Sequence, residues 1–477
     1  MKALKTIRKM EPPCLVPVVH SREGCLDPAK VYMGIRRRKF PAYLLESGEG
    51  PGEKARYSVI GFDPLLYVKV DREKVKISGK LAFEGMRRTA DPLSILKAAA
   101  GFGKINAPPL ISSYLSSCVG YISYDYVRHL VKLDSISKDD LGQPTLEFIL
   151  PEKVMVFDHI KKLTHLCHLA FFDSDPPSEG LRLAEKSLAE MGAILETEPS
   201  TTSVRPRISS VPTREEFESN VKKVKKYIRA GDIIQAVIAR RIALSPAPNP
   251  EQFYMNLRRI NPSPYMFFLD FPERTIIGSS PEILVKVDGR KVITRPIAGT
   301  RRRGRDIEDE KAMERELLTD EKEKAEHVML VDLGRNDIGK ISEFNSVKVI
   351  EFMKVEKYSH VQHLVSNVVG RLRKDKDAFD ALRATFPAGT VTGAPKVRAM
   401  EIIEELEPVR RGIYAGAVGS FSYNGNADLA ITIRTMVIEG GKGYIYAGAG
   451  IVADSIPERE HYETENKARA LLAAVGV

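Results

Sequence analysis

The sequence predicts an α+β fold in which mainly antiparallel β-sheets pack as a sandwich with flanking helices. Between residues 11 and 83, short apolar runs such as 43–47 and 65–70 alternate with turn residues, which is typical of antiparallel strands. A glycine-rich run of strands covers 413–452. Helical and strand-like stretches do not alternate strictly, which disfavours a parallel barrel or a doubly wound sheet.

Helix starts are marked by side chains that cap free backbone N–H groups. In a capping box, Ser or Thr is followed three residues later by Glu, and each side chain accepts from the other residue's backbone N–H. The predicted starts are Thr213 with Glu216 for a helix to about Ala230, Asp320 for a helix to Asn336, and Ser455 with Glu458 for the last helix, to Leu472.

Residues 196–212 are rich in Ser, Thr and Pro and are the best linker candidate in the chain. This segment divides the chain into an N-terminal regulatory or structural region, residues 1–195, and a second region, residues 213–477. The charged motifs that suggest chemistry lie mainly in the second region.

The composition favours an intracellular, cytoplasmic enzyme over other classes. The 477 residues are 43% hydrophobic and 29% charged, and the four cysteines show no C-x-x-C spacing. Residues 1–17 lack the apolar core of a signal peptide, and the uncharged run 105–124 contains too many polar residues for a membrane span. The net charge of +10 is spread along the chain without a nucleic-acid module, so a nucleic-acid partner is not expected.

Two predicted helices each carry a pair of glutamates three residues apart, Glu323 with Glu326 and Glu460 with Glu463. Residues at this spacing share a helix face. In the second of these helices, Lys467 lies on the same face as Glu460 and Glu463, one turn after Glu463. Paired carboxylates on rigid elements supply the oxygen ligands that Mg²⁺ prefers. Either pair alone more often belongs to a solvated helix face, so the surrounding motifs must decide.

Seven motifs occur in a fixed order along the second region. They are GSSPEILVKV at 278–287, RPIAGTRRRG at 295–304, DEKEKAEHVMLVDLGRNDIG at 320–339, VQHLVS at 361–366, FPAGTVTGAPKVRAMEII at 386–403, RGIYAGAVG at 411–419 and AGAGIVADSIPEREHYETENK at 447–467. Together they resemble the motifs of the chorismate-utilising enzymes, and the whole chain resembles the branch formed by anthranilate synthase large subunits. The segment 389–396 is not a nucleotide-binding loop, because its lysine does not follow a glycine directly.

This resemblance implies chorismate as substrate, Mg²⁺ as cofactor and a site that neutralises two substrate carboxylates. The implied metal ligands are Glu323, Glu326, Glu460 and Glu463. The implied substrate contacts are Gln235, Tyr414, Arg434, Gly448, Ala449 and Gly450, and the implied catalytic residues are Glu282, His363, Thr390 and Lys467.

The implied reaction begins tryptophan biosynthesis and has two halves. Ammonia adds to the ring as a hydroxyl leaves, and pyruvate is then eliminated to give anthranilate. The resemblance assigns Glu282 as the acid for hydroxyl departure and His363 to the elimination. Each role requires a group that handles one proton.

Two positions distinguish this chain from its relatives. Water-using members carry a lysine where Gln235 stands, and aminodeoxychorismate synthases often carry a lysine nucleophile where Ala298 stands. The absence of both lysines favours ammonia as nucleophile and elimination of pyruvate. An aminodeoxychorismate synthase large subunit is the nearest alternative, and a catalytically silent tryptophan-sensing or partner-binding protein is another.

The resemblance also implies a regulator and a partner. The segments 44–47 and 261–268 resemble a tryptophan-sensing pocket, with Ser47, Pro264, Tyr265 and Met266 as effector contacts, so tryptophan is expected to inhibit. No cysteine lies in a glutaminase motif. Ammonia is therefore expected from a separate glutamine amidotransferase small subunit.

Overall fold

The computed structural model describes residues 11–48, 56–71, 74–81, 91–106, 113–174, 178–201, 205–358 and 361–476. Residues 1–10, which were examined for a signal peptide, and 107–112 of the uncharged run lie outside these ranges. Within the described residues, no helix combines the length and the apolar character needed to cross a bilayer.

The helices within the described ranges flank a large set of strands. They are α1 (Pro28–Arg36), α2 (Pro92–Ala99), α3 (Ser178–Gly192), α4 (Arg214–Ala230), α5 (Pro250–Ile260), α6 (Ile307–Thr319), α7 (Glu321–Gly339), α8 (Ala378–Thr385), α9 (Lys396–Leu406) and α10 (Pro457–Val475). Short 3₁₀ turns occupy Ser113–Leu115, Tyr124–His129 and Gly389–Val391.

The strands of the described residues form one connected, antiparallel system. They are β1 (Cys14–Glu23), β2 (Ala42–Glu46), β3 (Tyr57–Asp71), β4 (Lys74–Ser78), β5 (Ser117–Ile122), β6 (Leu146–Asp158), β7 (Leu163–Phe172), β8 (Arg207–Val211), β9 (Gln235–Ser245), β10 (Tyr265–Phe271), β11 (Arg274–Ser280), β12 (Ile283–Asp288), β13 (Lys291–Thr294), β14 (Ile297–Arg302), β15 (Lys348–Lys357), β16 (Val361–Arg371), β17 (Gly393–Ala394), β18 (Ala417–Ser422), β19 (Ala427–Ile431), β20 (Thr435–Glu439) and β21 (Lys442–Ile451).

Two sheet arms extend from β6. The first arm runs through β3, β2, β10, β11, β20, β21 and β9 to β8. The second arm runs through β5, β18, β19, β12, β13 and β16, which pairs with β14 and β15. Their facing side chains meet in one buried cluster that includes Phe267 and Ile276 from the first arm and Val418 and Ala430 from the second. The predicted α+β class with antiparallel sheets is therefore confirmed.

Helices cover the first arm on its outer side. Side chains of α1, α5 and α10 pack with β2, β10 and β20 in one buried cluster, which includes Tyr32, Leu257 and Leu471. The helices α4 and α9 pack on β9 and β21 in another cluster through residues such as Val221 and Ile402. The last helix, with its two glutamates, is thereby fixed against the sheet.

The chain crosses between the two arms at two neighbouring places. Residues 281–282 lead from β11 in the first arm to β12 in the second, and residues 432–434 lead from β19 back to β20. The crossing segments hold each other by backbone hydrogen bonds, from the Ser279 N–H to the Arg434 carbonyl (3.1 Å) and from the Ile431 N–H to the Glu282 carbonyl (3.0 Å). Glu282 and Arg434 therefore have a fixed spacing.

The predicted helix starts have mixed outcomes. Thr213 and Glu216 form the capping box, and the Asp320 carboxylate accepts from the first turn of α7. The predicted capping box at Ser455 is wrong. The Ser455 hydroxyl accepts instead from the Val452 N–H (3.0 Å), and the helix begins at Pro457 without a side-chain cap.

Strands from both predicted regions alternate along the arms, since β5 pairs with β18 and β2 pairs with β10. Within the segment 196–212, residues Arg207–Val211 form β8, which pairs with β9. The division into two regions stays a prediction.

A buried carboxylate joins the central strand β6 to its neighbours. Glu147 is fully buried and accepts hydrogen bonds from Tyr67 on β3 and Tyr121 on β5, each at 2.6 Å, and it forms an ion pair with Arg274 on β11. Charged and hydrogen-bonded groups of this kind fix a geometry, because leaving any one of them unpaired in the interior is costly.

Substituting Gly120 by alanine is expected to destabilise the junction between the arms. Gly120 lies on β5, and an added Cβ would come within 1.9 Å of the Glu147 carbonyl oxygen. Overpacking of this kind costs about 1–3 kcal/mol of unfolding free energy, measurable by chemical denaturation. Gly339→Ala is the control, because nothing lies within 4 Å of its added Cβ and alanine favours a helix. Equal midpoints for the two variants would contradict the packing argument.

Candidate active site

Glu282 lies on the first crossing segment, in a buried environment. Burial raises the pKa of Glu282 to about 8, and this effect is opposed by the Thr390 hydroxyl, the Ile297 backbone N–H and the charge of Lys467. The predicted catalytic residues Glu282, Thr390 and Lys467 are therefore brought together. At neutral pH the Glu282 carboxyl is mainly protonated and is able to donate a proton.

Arg434 lies on the second crossing segment with a φ of 51°, in the left-handed region that side chains rarely adopt. Burial lowers the pKa of its guanidinium, and no carboxylate among the described residues lies within salt-bridge distance of it. A desolvated cation without a partner is unfavourable in the protein alone. It is suited to receive a carboxylate from a ligand.

His363 lies on β16, close enough to Arg434 for the charge of Arg434 to act on it. Burial is the main cause that lowers the pKa of His363, so the imidazole is neutral near pH 7. Its Nδ1 lies 2.9 Å from the Gly299 carbonyl oxygen, which accepts a hydrogen bond only if Nδ1 carries the proton. Nε2 is then left as the proton acceptor.

The glycines of β21 form a second wall of the site. A Cβ on Gly448 would lie 2.9 Å from the Tyr414 hydroxyl, and one on Gly450 would lie 2.7 Å from Nε2 of Gln235. Lys467 donates to the Gly448 carbonyl at 2.8 Å. These predicted substrate contacts are brought together, and a side chain at either glycine would fill the space beside them.

Ala449 occupies a different position from its two neighbours. Its side chain is fully buried in the cluster beneath α4 and α9, on the face of β21 opposite to the glycines. Ala449 can therefore contribute to the site only through its backbone. At this position β21 is an edge strand, because after Ile445 none of the described strands pairs with it on the side opposite to β9.

The four predicted metal ligands lie on α7 and α10. Burial raises the pKa of Glu326, and the negative charges of Glu323 and Glu463 raise it further. Glu460 behaves similarly, because burial and the charge of Glu463 raise its pKa. The charges of Glu323 and Glu463 therefore act on Glu326, and the charge of Glu463 acts on Glu460, within and between the two helices; the assignment of the four residues as metal ligands stays a prediction.

The carboxylates do not form a closed metal cage. Glu323 is bonded to Arg301 at 3.1 Å, Glu463 to Lys467 at 2.7 Å, and Gln235 donates to Glu326 at 3.0 Å. No group of three acidic, histidine or cysteine side chains in the described ranges is close enough to hold a metal ion. The donors are nonetheless oxygens on rotatable side chains, which fits Mg²⁺ if Glu323 and Glu463 turn from their basic partners.

The predicted effector contacts lie at the paired ends of β2 and β10. Met266 is paired with Glu46, the residue before Ser47, and the Gly48 N–H donates to the Ser263 carbonyl at 2.9 Å. Tyr265 donates to Asp428 at 2.8 Å. Ser47, Pro264, Tyr265 and Met266 are therefore close together at these strand ends.

A model of the chorismate binding enzyme family matches residues 40–473. The chain belongs to this family. It is 46% identical over 445 residues to anthranilate synthase component 1 of Acetivibrio thermocellus, which covers 91% of this chain and 90% of that protein. It is 44% identical over 450 residues to the component 1 protein of Thermus thermophilus, with 94% and 95% covered. The predicted membership of this chorismate-binding family is confirmed.

Solved structures of chorismate-binding enzymes share the fold. Anthranilate synthase component I of Streptococcus pneumoniae superposes with a TM-score of 0.77 at 39% identity, covering 89% of this chain and 93% of that one. A menaquinone-specific isochorismate synthase of Escherichia coli superposes with a TM-score of 0.73 at 19% identity, covering 99% and 98%. The second likeness concerns the fold alone.

Replacing Arg434 by methionine is expected to stabilise this chorismate-binding protein while abolishing turnover. The change removes a desolvated cation without an acidic partner, so the unfolding free energy should rise by about 1–2 kcal/mol. Chemical denaturation and an activity assay on the same preparation test both effects.

Arg295→Met is the matched control for Arg434→Met. Arg295 is buried and, unlike Arg434, pairs with acidic and amide groups of the protein, the buried Glu356 and Asn367. Its removal takes away the cation that pairs with the buried Glu356 carboxylate, which keeps a hydrogen bond from the Tyr358 hydroxyl at 3.1 Å, and should destabilise by about 3–5 kcal/mol. A loss of stability in both variants would contradict the interpretation that Arg434 is held without a protein partner.

Proposed function

We propose that the chain converts chorismate and ammonia to anthranilate and pyruvate, as the large subunit of an anthranilate synthase. The observation that carries the proposal is the placement of the buried Glu282, whose pKa is raised by burial, next to a crossing segment that presents Arg434, which has no acidic partner among the described residues. One group is suited to protonate a leaving hydroxyl and the other to bind a carboxylate. The names of the similar component 1 proteins support the same activity.

Arg434 and the glycines of β21 orient the substrate in this proposal. Arg434 takes the enolpyruvyl carboxylate in a bidentate contact, and the backbone near Gly448 and Gly450 approaches it closely. Tyr414 and Lys467 border the same space. By the resemblance, Gln235 occupies the position of a water-activating lysine in other family members, and its amide is not basic enough to take a proton from water, which favours ammonia as the nucleophile.

Glu282 acts in the first half of the proposed reaction. The nitrogen of ammonia forms a bond to a ring carbon as the ring C–O bond breaks, and Glu282 gives its proton to the leaving oxygen, so that water departs. The added nitrogen then releases one proton to give the neutral amine. The raised pKa of Glu282 keeps this proton available at neutral pH.

His363 acts in the second half. A ring C–H proton is removed as the ether C–O bond breaks, and the ring becomes aromatic while the enolpyruvyl group leaves and is protonated to pyruvate. We assign the proton acceptance to Nε2 of His363, because Nδ1 is committed to the Gly299 carbonyl. Burial keeps the imidazole neutral, as a base must be before it acts.

Glu323, Glu326, Glu460 and Glu463 would hold Mg²⁺ in this proposal. Burial is the main cause that raises the pKa of Glu326 and of Glu460, and nearby glutamate charges raise it further; a bound cation would relieve this repulsion, which supports the proposal. When bound, the ion would supply positive charge to the ring carboxylate of chorismate.

Two further parts of the proposal concern supply and control. A separate glutamine amidotransferase subunit supplies ammonia, and tryptophan inhibits by binding beside Ser47, Pro264, Tyr265 and Met266. The close placement of these four residues at the ends of β2 and β10 supports a small-molecule site there. By linkage, tryptophan would then disfavour the productive substrate complex.

One assay tests these parts together. The chain alone is incubated with chorismate, ammonium and Mg²⁺, and anthranilate is followed by fluorescence and pyruvate by a coupled assay. We expect both products in equal amounts, no turnover with excess EDTA, recovery when Mg²⁺ is restored, and inhibition by tryptophan. A stable amino-deoxychorismate formed without pyruvate would contradict the proposed activity, and so would a complete lack of turnover by the folded chain.

Glu282→Gln is expected to lower kcat by about 10²- to 10⁴-fold, because the amide cannot donate the proton. The pH dependence follows from the pKa. The active form of Glu282 is the acid, which predominates below about pH 8, so the wild-type rate should fall as the pH rises through that value. Rates are expressed per concentration of free ammonia, since that concentration also changes with pH. If the rate of Glu282→Gln falls over the same pH range as the wild-type rate, the titration of Glu282 is not the cause of that fall.

A further inference from the structure

Arg411 is one of the largest fully buried side chains of the described residues and belongs to none of the groups assigned above. It lies between α9 and Tyr414, and only 1% of its side chain is exposed. Glu407 holds the guanidinium in a two-point contact, from Nε to Oε2 at 2.9 Å and from Nη2 to Oε1 at 2.6 Å. The pair is thus a fixed fork in the interior.

The remaining donors of Arg411 reach two segments that carry active-site residues. Nη1 donates to the Val391 carbonyl at 2.6 Å, directly after Thr390. Nη2 donates to the Val237 carbonyl at 2.7 Å, two residues after Gln235 in β9. The fork therefore joins the turn that carries Thr390 to the strand that carries Gln235.

Glu407 and two tyrosines extend these connections. The Ala239 N–H donates to Glu407 at 2.8 Å, which ties β9 to the pair a second time. The Arg411 guanidinium lies 5.8 Å from the ring of Tyr414 and 4.9 Å from the ring of Tyr124. Tyr414 is also stacked on Tyr446 at 5.1 Å, so its hydroxyl is held beside Gly448.

A buried ion pair is weak evidence for stability, because apolar side chains of similar volume often stabilise as well or better. What apolar side chains cannot supply is the set of directed hydrogen bonds to three separate segments. We propose that Arg411 is a positioning residue that fixes Gln235, Thr390 and Tyr414 relative to one another for turnover. The proposal rests on the function proposed above, and lysine cannot replace the fork because it offers a single flexible point charge.

The two-step reaction supplies a direct readout of positioning. After ammonia has added, the intermediate still carries the enolpyruvyl ether and must stay oriented until pyruvate is eliminated. A pocket with displaced walls releases more of this aminated intermediate before elimination. The ratio of released intermediate to anthranilate does not depend on the fraction of enzyme that is folded, whereas a total rate does.

The test compares Arg411→Lys with the wild-type chain at saturating ammonium and Mg²⁺. Both products are quantified by liquid chromatography with mass detection. We expect kcat/KM to fall by about 10- to 100-fold, as a small displacement of reacting groups would cause, and the intermediate-to-anthranilate ratio to rise at least several-fold. Millimolar guanidinium, below denaturing concentrations, should partly restore the ratio in Arg411→Ala.

Arg410→Lys is the matched control. Arg410 is the neighbouring residue and is partly buried, but its side chain pairs with Asp125 and Asp139 outside the site. We expect the wild-type ratio in this variant. Glu407→Gln is the second test variant. It keeps the shape of the side chain but removes the negative charge that holds the Arg411 guanidinium. The intermediate-to-anthranilate ratio should rise, as in Arg411→Lys, but by a smaller factor.

Several outcomes would overturn the positioning role. Wild-type values in Arg411→Lys would do so, and so would a rate that falls only with the folded fraction while the ratio stays constant. Loss of folding in both Arg411→Lys and Glu407→Gln would mark the pair as purely structural. A wild-type chain that forms neither anthranilate nor the intermediate would instead refute the proposed function, so the two failures are distinguishable.

Discussion

The backbone hydrogen bonds between the two crossing segments are the contact on which the site depends. Each segment passes from one sheet arm to the other, and the bonds from Ser279 to Arg434 and from Ile431 to Glu282 hold them side by side. Neither arm can shift along the other without breaking these bonds. Because Glu282 and Arg434 belong to the crossings themselves, the proton donor and the carboxylate receptor are positioned by the fold and not by flexible loops.

The site is electrostatically unfavourable in the protein alone, and the surrounding fold supports it. Glu326 and Glu460 lie near other carboxylates, and Arg434 is desolvated without an acidic partner. Other buried charges are paired inside the protein, as Glu147 is with its two tyrosines and Arg274. Unpaired charge is thus concentrated where an ion and a dianionic substrate would compensate it, which is the usual location of strain in a binding site.

The sequence was sufficient for the parts of the site that lie within one element. The shared faces of α7 and α10, the Asp320 cap and the fold class follow from local spacing and pattern. The capping box predicted at Ser455 does not form, because the Ser455 hydroxyl accepts from the Val452 N–H within a tight turn before the helix. The pairing of the two crossings depends on contacts about 150 residues apart, which periodicity does not reveal. Arg411 was not singled out for the same reason, although it opens a motif that the resemblance already covered.

The buried Arg411 and the partly buried Arg434 lie 23 positions apart in the sequence, and their surroundings differ: protein groups hold the first, whereas the second is available to a ligand. Arg411 is surrounded by Glu407, two backbone carbonyls and two tyrosine rings, and these partners raise its pKa although burial alone would lower it. Arg434 has no acidic partner in the part of the chain that the structure describes, and burial lowers the pKa of its guanidinium. Arg411 makes four hydrogen bonds to protein groups, so its role is to hold its surroundings in place. Arg434 keeps its donors available for a ligand carboxylate. It lies on the segment 432–434, which crosses from one sheet arm to the other.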